Sequence, residues 1–106
     1  MKKMKNKKGH VLVSVSQRTA GSFFLGHFKD GDENEYVQRV SLDTWIFFEH
    51  ERRSGKHLSK EDIRFLYHET FGRKPDKTDL ATRLEDLVKK GELKYDGKGG
   101  TYFKKD

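Results

Sequence analysis

The C-terminal half of the chain constrains the fold most, because a helical pattern there runs directly into two strand patterns joined by glycines. Four apolar residues at helical spacing mark the helix: Leu80, Leu84, Leu87 and Val88. Gly91 follows at the place where a glycine commonly ends a helix. Leu93 and Tyr95 then alternate with charged residues on one strand. Thr101 and Phe103 alternate on the return strand, after a turn that contains three glycines. This order predicts a helix followed by a β-hairpin.

A second helix is predicted just before this one, between Ser59 and Gly72. Ser59 and Asp62 resemble a capping box, in which each side chain accepts a hydrogen bond from the backbone of the other residue. Four apolar residues follow at helical spacing: Ile63, Leu66, Tyr67 and Phe71. Gly72 is expected to end this helix, and Asp76 is expected to cap the next one.

An earlier helix is predicted from Ser41 to about Ser54–Gly55. Its apolar residues lie around most of the circumference: Leu42, Trp45, Ile46, Phe47 and Phe48. A helix of this kind must be covered on two sides, so we expect it between the N-terminal strands and the two later helices.

Three strands are predicted before the first helix, over residues 11–16, 22–28 and 36–40, with a turn at 18–21 and a polar loop at 29–35. Val11, Val13 and Val15 alternate with the residues between them, which predicts one buried face for the first strand. Phe23 and Phe24 must point to opposite faces of the second strand, and we expect Phe24 to be buried.

Positive charge is concentrated at the N-terminus. The net charge of the 106 residues is +6, and five of those charges come from lysines in residues 1–8. We expect residues 1–9 to form a disordered basic tail, which attracts polyanions through counterion release without reading sequence. A purely solubilising tail is an equally open interpretation. The length and the 32% hydrophobic fraction suit one small domain whose core relies on aromatic residues.

Residues 59–104 resemble the winged helix-turn-helix family. The motif that carries the resemblance is Leu84-x-x-Leu87-Val88-x-x-Gly91-x-Leu93. The resemblance implies a winged helix-turn-helix, with three helices plus a C-terminal β-hairpin. The strand patterns before it add an N-terminal antiparallel β-meander, which is not a standard part of that family, so the expected fold class is α+β. The expected organisation is a tail at 1–9, a meander at 10–40 packed on the body, and a winged-helix domain at 41–106.

The resemblance also implies a partner, double-stranded DNA, and a small DNA-binding protein such as a transcription regulator of a phage or other mobile element. The helix 77–90 would enter the major groove, while the wing 92–104 would lie on the backbone. The residues expected at base edges are Lys77, Thr78, Thr82 and Arg83. Arg83 would form a bidentate hydrogen-bonded contact with guanine, and Thr82 would contact a thymine methyl. The residues expected at phosphates are Lys89, Lys90, Lys94, Lys98 and Lys104.

Acidic residues on the same helix keep a second interpretation open. Asp79, Glu85 and Asp86 balance the three basic residues between Thr78 and Lys90. A mixed surface of this kind favours a protein-binding winged-helix module, such as a phage-type inhibitor that docks on a host nuclease or polymerase. Phe65, predicted opposite the apolar stripe of its helix, would then belong to a protein-binding patch. A module that binds through its lysines alone is a third interpretation, and a homodimer is compatible with all three.

No pattern in the sequence indicates an enzyme, a metal site or a cofactor. The five histidines lack metal-ligand spacing, and the chain has no cysteine. The loop that begins at Asp30 alternates oxygen ligands as a calcium loop does, but Glu35 and Ser41 stand where such a loop needs Gly and Glu. The apolar runs are too short to span a membrane, and no signal peptide is recognisable, which favours a cytoplasmic location.

Overall fold

The computed structural model describes residues 4–17, 23–53 and 55–104, and within them the chain folds as an α+β protein. The elements, in chain order, are β1 (Val11–Gln17), β2 (Phe24–Lys29), β3 (Glu35–Val40), α1 (Leu42–Arg52), β4 (Leu58–Ser59), α2 (Lys60–Phe71), α3 (Lys77–Lys89), β5 (Lys94–Asp96) and β6 (Thr101–Phe103). The strands form two antiparallel sheets of three: an N-terminal sheet in the order β1-β2-β3 and a C-terminal sheet in the order β4-β6-β5. The predicted mixed α+β class is confirmed.

The N-terminal sheet corrects the pattern expected for its first strand. The register of β1 against β2 shifts between Leu12 and Ser14, so Val13 is the extra residue of a bulge. Leu12 and Val15 are therefore both buried, while Val13 is 45% exposed. The buried face predicted from the alternating valines is correct at Val15 but wrong at Val13, because the inserted residue reverses the alternation before Ser14. Phe24 is buried, as predicted, but the predicted turn at 18–21 lies outside the described residues.

The described part of the N-terminal tail, from Met4 onward, lies against β1. Lys5 forms a β-bridge with Val11, and the Leu12 amide donates to the Met4 carbonyl at 2.8 Å. The Asn6 side-chain oxygen accepts hydrogen bonds from the amides of Lys8 and His10, which closes a tight turn. Residues 1–3 lie outside the described residues.

The helix ends follow from local side-chain chemistry. Ser59 and Asp62 form the predicted capping box at the start of α2, and Asp76 accepts the Asp79 amide at the start of α3. Gly72 ends α2 with a φ of 72°, and Gly91 follows α3 with a φ of 77°. Both glycines therefore occupy the left-handed region that other residues adopt only at a cost. These four predictions are confirmed.

Helix α1 is the most deeply buried helix of the described chain, as its apolar circumference predicts. Trp45 and Ile46 are almost inaccessible to solvent. The Trp45 ring packs 5.5 Å from Tyr67 and 5.3 Å from Phe71, both on α2, while α3 packs along another side of α1. The helix ends at Arg52, slightly earlier than expected, and Ser54 lies outside the described residues.

The C-terminal sheet contains a strand that the sequence analysis did not predict. The two-residue strand β4 pairs with β6, with Leu58 opposite Tyr102, and so joins the hairpin to the start of α2. The inward residue of β6 is Tyr102, at 5% exposure, and not Thr101 or Phe103. Tyr95 lies opposite Tyr102 and is 53% exposed, whereas Leu93, in the bend before β5, is buried. The alternation predicted for the return strand is therefore wrong in its register, whereas Leu93 and Tyr95 share the face of Tyr102, as predicted for the first strand.

A single cluster of buried residues connects the parts of the molecule. It contains residues from β1 and β2, all three helices and the C-terminal sheet. The predicted meander segment, 10–40, and the predicted winged-helix segment, 41–106, thus contribute to one core.

Candidate nucleic-acid interface

The face of α3 that points away from the core is open to solvent. Leu80, Leu84 and Leu87 point inward and are almost completely buried. The opposite side consists of four exposed residues, which we call the outer face of α3: Thr78, Thr82, Glu85 and Lys89. They follow one another at intervals of three or four residues, so they form a continuous stripe along the helix. The described strands of the N-terminal sheet leave this stripe uncovered.

Thr82 presents a methyl group from the middle of the outer face. Its hydroxyl donates a hydrogen bond to the Thr78 carbonyl oxygen at 2.9 Å, a bond within the helix. The hydroxyl proton is therefore occupied, and the methyl group and the oxygen lone pairs remain available for contacts. A methyl group in this position suits an apolar contact better than a polar one.

Arg83 lies on the flank of α3 that faces the start of α1. Its Nη1 is 3.1 Å from Oδ1 of Asp43, an ion pair without hydrogen-bond geometry, and its Nε is 3.4 Å from Oδ1 of Asp79. The side chain is 40% exposed and sits between two carboxylates. The spacing of Asp79 and Arg83 in the sequence is typical of a helical ion pair. The contact with Asp43 depends on the packing of α1 against α3, so the spacing of residues in the sequence does not predict it.

The predicted phosphate-binding lysines fall into two groups. The first group is exposed and forms no ion pair with any described residue: Lys77, Lys89, Lys90, Lys94 and Lys98. Lys104 differs, because its Nζ pairs with the buried carboxylate of Glu51 and lies 5.4 Å from the centre of the Phe47 ring. Only 15% of its side chain is exposed. Sequence reasoning did not find this pair, whose members are far apart in the chain.

The hairpin carries one exposed aromatic side chain, Tyr95, at 53% exposure. Tyr95 packs against Tyr102 with ring centres 5.0 Å apart. Burial raises the pKa of Tyr102, and the neighbouring Tyr95 and Glu85 raise it further, so Glu85 lies near this aromatic pair. Lys94 points to the opposite face of the hairpin, where it pairs across the strands with Phe103. Tyr95 and Lys94 therefore lie on opposite faces of the hairpin.

The other side of the hairpin carries a second small cluster. The His57 ring stacks on Phe103 at 4.2 Å, and its Nδ1 lies 3.0 Å from the Thr101 hydroxyl and 3.7 Å from a carboxylate oxygen of Asp96. These contacts hold the segment before β4 against the hairpin.

The described residues contain no group of three or more His, Asp or Glu side chains placed to hold a metal ion. The acidic loop after β2 instead closes on its own backbone. The Asp30 carboxylate accepts hydrogen bonds from the amides of Asp32 and Asn34, and these bonds lower the pKa of Asp30. None of the helices in residues 4–17, 23–53 and 55–104 has the length and apolar content needed to cross a membrane.

Comparisons of the chain with protein-family models, with curated proteins and with solved structures find no match.

Proposed function

We propose that this protein binds duplex DNA as a winged helix, through the outer face of α3 and the C-terminal hairpin. The observation that carries the proposal is the solvent-exposed outer face of α3. The opposite side of the helix is buried in the core, and the lysines on and around the outer face have no ion-pair partners among the described residues. A rigid helix with one uncovered side is the element that enters a major groove in helix-turn-helix proteins.

The arrangement of the elements supports the winged-helix assignment. Helices α2 and α3 are joined by residues 72–76, and α3 leads directly into the hairpin β5–β6. Strand β4 fastens the hairpin to the start of α2, so the hairpin has a fixed position relative to the helices. A fixed hairpin beside an open helix is the geometry that the proposal requires.

The dimensions of α3 match a groove flanked by phosphates. Lys77 and Lys89 lie at its two ends, about 18 Å apart along the helix axis at the usual rise per residue. The major groove of B-DNA is about 12 Å wide and admits a helix of about that diameter, so an inserted α3 would carry one lysine near each of its ends, where the flanking phosphates can be reached. Thr78 and Thr82 would then face the base edges, with the Thr82 methyl group suited to a thymine methyl. Lys98, in the hairpin turn, would contact the backbone nearby.

The ion pairs of Arg83 change its proposed role. Because Asp43 and Asp79 neutralise its charge, we assign Arg83 to holding α3 against α1, in place of the guanine contact that the resemblance implies. The same pairing removes Asp79 from the acids that would oppose the phosphates. Glu85, which remains on the outer face, could accept a hydrogen bond from cytosine N4. Lys104 takes no part in binding, because its charge is committed to Glu51.

A salt titration with matched lysine variants tests the interface. A duplex would first be selected from random sequences with the full chain. We expect Lys89→Ala to weaken binding to it and to reduce the slope of log K against log salt by about one. Lys29→Ala is the control, since Lys29 is also exposed but lies on the N-terminal sheet. Equal effects of the two changes would show that binding is diffuse and does not involve α3.

A second variant tests the base contact. Thr82→Ser removes the methyl group and keeps the hydroxyl, so it should relax the preference for thymine at one position, at a cost of about 1 kcal/mol on the selected site. Measurement of binding to duplexes with each base at that position would reveal the change. Failure of the selection to enrich any sequence would reject groove reading. Regulation of transcription and an origin in a mobile element remain predictions.

A further inference from the structure

The most exposed large apolar side chain of the described chain is Phe65, on the side of α2 that points away from the core. It is 63% exposed, while Ile63 and Tyr67 on the inner side of the same helix are buried. Burying a phenyl ring is normally favourable, so its exposure in the middle of an amphipathic helix calls for an explanation. Neither the proposed DNA contact on α3 nor the core uses this ring.

Phe65 stands in a shallow groove between α2 and the turn that leads to α3. The groove has a volume of about 320 Å³ and is lined by Glu61, Arg64, Phe65, His68, Lys74 and Pro75. This volume lies at the lower end of the range for ligand sites, which is about 300–1,000 Å³. It therefore suits one or two anchoring side chains of a partner. A second copy of the chain is a poor occupant, because a stable dimer buries about 1,200–2,000 Å² and one aromatic ring supplies only about 150–250 Å².

The charges around the groove define the partner. Arg64 and Lys74 border the ring, and neither forms an ion pair with a described residue. Glu61 is the one carboxylate in the lining, so the positive charges are in excess. The aliphatic stems of Arg64 and Lys74 extend the apolar floor while their charged ends stay in water.

From this arrangement, we propose that the groove around Phe65 is a docking site for an acidic peptide segment of a partner protein that carries a large apolar anchor. The anchor packs on Phe65 and Pro75, and acidic residues beside it pair with Arg64 and Lys74. The site is separate from the outer face of α3, so the inference does not depend on DNA binding.

Peptide selection with the full chain tests the site. Short random peptides displayed on phage would be selected against the wild-type chain and, in parallel, against Phe65→Ser. Because Phe65 is exposed, the substitution should leave thermal unfolding unchanged. We expect peptides enriched only by the wild type to contain Asp or Glu next to an aromatic or large aliphatic residue. A synthetic peptide of that sequence should bind the Phe65→Ser variant about 30-fold more weakly.

Charge reversal separates this site from nonspecific adhesion to an exposed ring. The double variant Arg64→Glu, Lys74→Glu keeps Phe65 and should lose the acidic peptides and enrich basic ones. The proposal is overturned if the wild type enriches no peptide over Phe65→Ser, or if the enriched peptides carry no acidic residues. It is also overturned if Phe65→Ser weakens duplex DNA binding while no peptide is enriched, because the groove would then belong to the DNA interface.

Discussion

Three consecutive ionisable side chains, Glu49, His50 and Glu51, are buried near the end of α1. Each has at least one polar partner, although Nε2 of His50 is buried without a hydrogen bond among the described residues. Glu49 pairs with the two arginines that follow it, and Glu51 pairs with Lys104. The Nδ1 of His50 lies 2.8 Å from the Ile46 carbonyl oxygen, which can only accept, so Nδ1 carries a proton. This turn thus contains the buried charged and polar side chains of the described core.

Burial of His50 should make the stability depend on pH. Removal from water lowers its pKa below the ordinary value of 6.5, and this effect outweighs the Ile46 hydrogen bond and the charge of Glu49, which favour the protonated ring. His50 therefore binds a proton near pH 6.5 in the unfolded chain, but only at a lower pH in the folded chain. The contribution of the neutral ring is complete above pH 6.5 and declines as the pH falls toward the lowered value, by at most about 1.4 kcal/mol per pH unit.

Urea unfolding of the wild type and of His50→Gln between pH 8 and about pH 5.5 measures this effect. The variant should lose that part of the pH dependence, whatever its stability at pH 8. His68→Gln is the control and should keep the wild-type slope, because His68 is exposed on α2 and its ring forms no hydrogen bond or ion pair with a described residue. An unchanged slope in His50→Gln would show that other groups cause the decline.

At the scale of elements, the two serines that precede helices differ in what they contribute. Ser59 accepts a hydrogen bond from the Asp62 amide at 3.1 Å and so satisfies one free N–H at the start of α2. Ser41 occupies the same position before α1 but forms no side-chain hydrogen bond to the backbone of its helix. The start of α1 is held instead by packing, since Leu42, directly after Ser41, is buried.

This difference predicts unequal costs for the same substitution. Ser59→Ala should lower the free energy of unfolding by about 1 kcal/mol, because it removes the cap of α2. Ser41→Ala should change it by less than about 0.5 kcal/mol, as for an ordinary surface position. Urea denaturation of both variants at neutral pH makes the comparison. A loss from Ser41→Ala as large as that from Ser59→Ala would mean that the caps do not account for the difference.

At the scale of the whole molecule, the Glu51–Lys104 pair joins the residue after β6 to the centre of the fold. Glu51 belongs to α1, and Lys104 follows the strand that holds the C-terminal sheet together. The pair lies beside a cavity of about 640 Å³, which is also bordered by Lys5, Asp43 and Lys90. One contact thus links the central helix to the residue that follows the hairpin, beside a cavity that the described start of the chain also borders.

Replacing one residue of this pair should lower the free energy of unfolding more than replacing both. Lys104→Met keeps the packing on Phe47 but leaves the Glu51 carboxylate buried without its partner, so we expect a loss of about 3 kcal/mol. The double variant Glu51→Leu, Lys104→Met should recover most of that loss, because no buried charge remains. A double-mutant cycle completed with Glu51→Leu gives the coupling energy. Additive losses would show that the two side chains act independently.

The sequence by itself determined the features that depend on neighbours within one helical turn. The capping box, the Asp76 cap, the helix ends at Gly72 and Gly91, and the inward stripe of α3 all follow from contacts between residues a few positions apart. Such contacts leave a spacing that can be read without knowing the rest of the fold. The mixed α+β class follows from the same patterns.

Only the tertiary structure decided which surfaces are free and which charges are committed. Two features join residues that are distant in the chain: the pairing of Arg83 with Asp43 and the burial of Lys104 beside Glu51. The bulge at Val13 depends instead on the register between two strands, which the alternation of residues cannot fix. The candidate site changed accordingly, since two of its predicted cations turned out to be paired while Phe65 remained exposed. Whether a side chain is buried depends on which distant part of the chain packs against it, and the spacing of neighbouring residues does not contain that information.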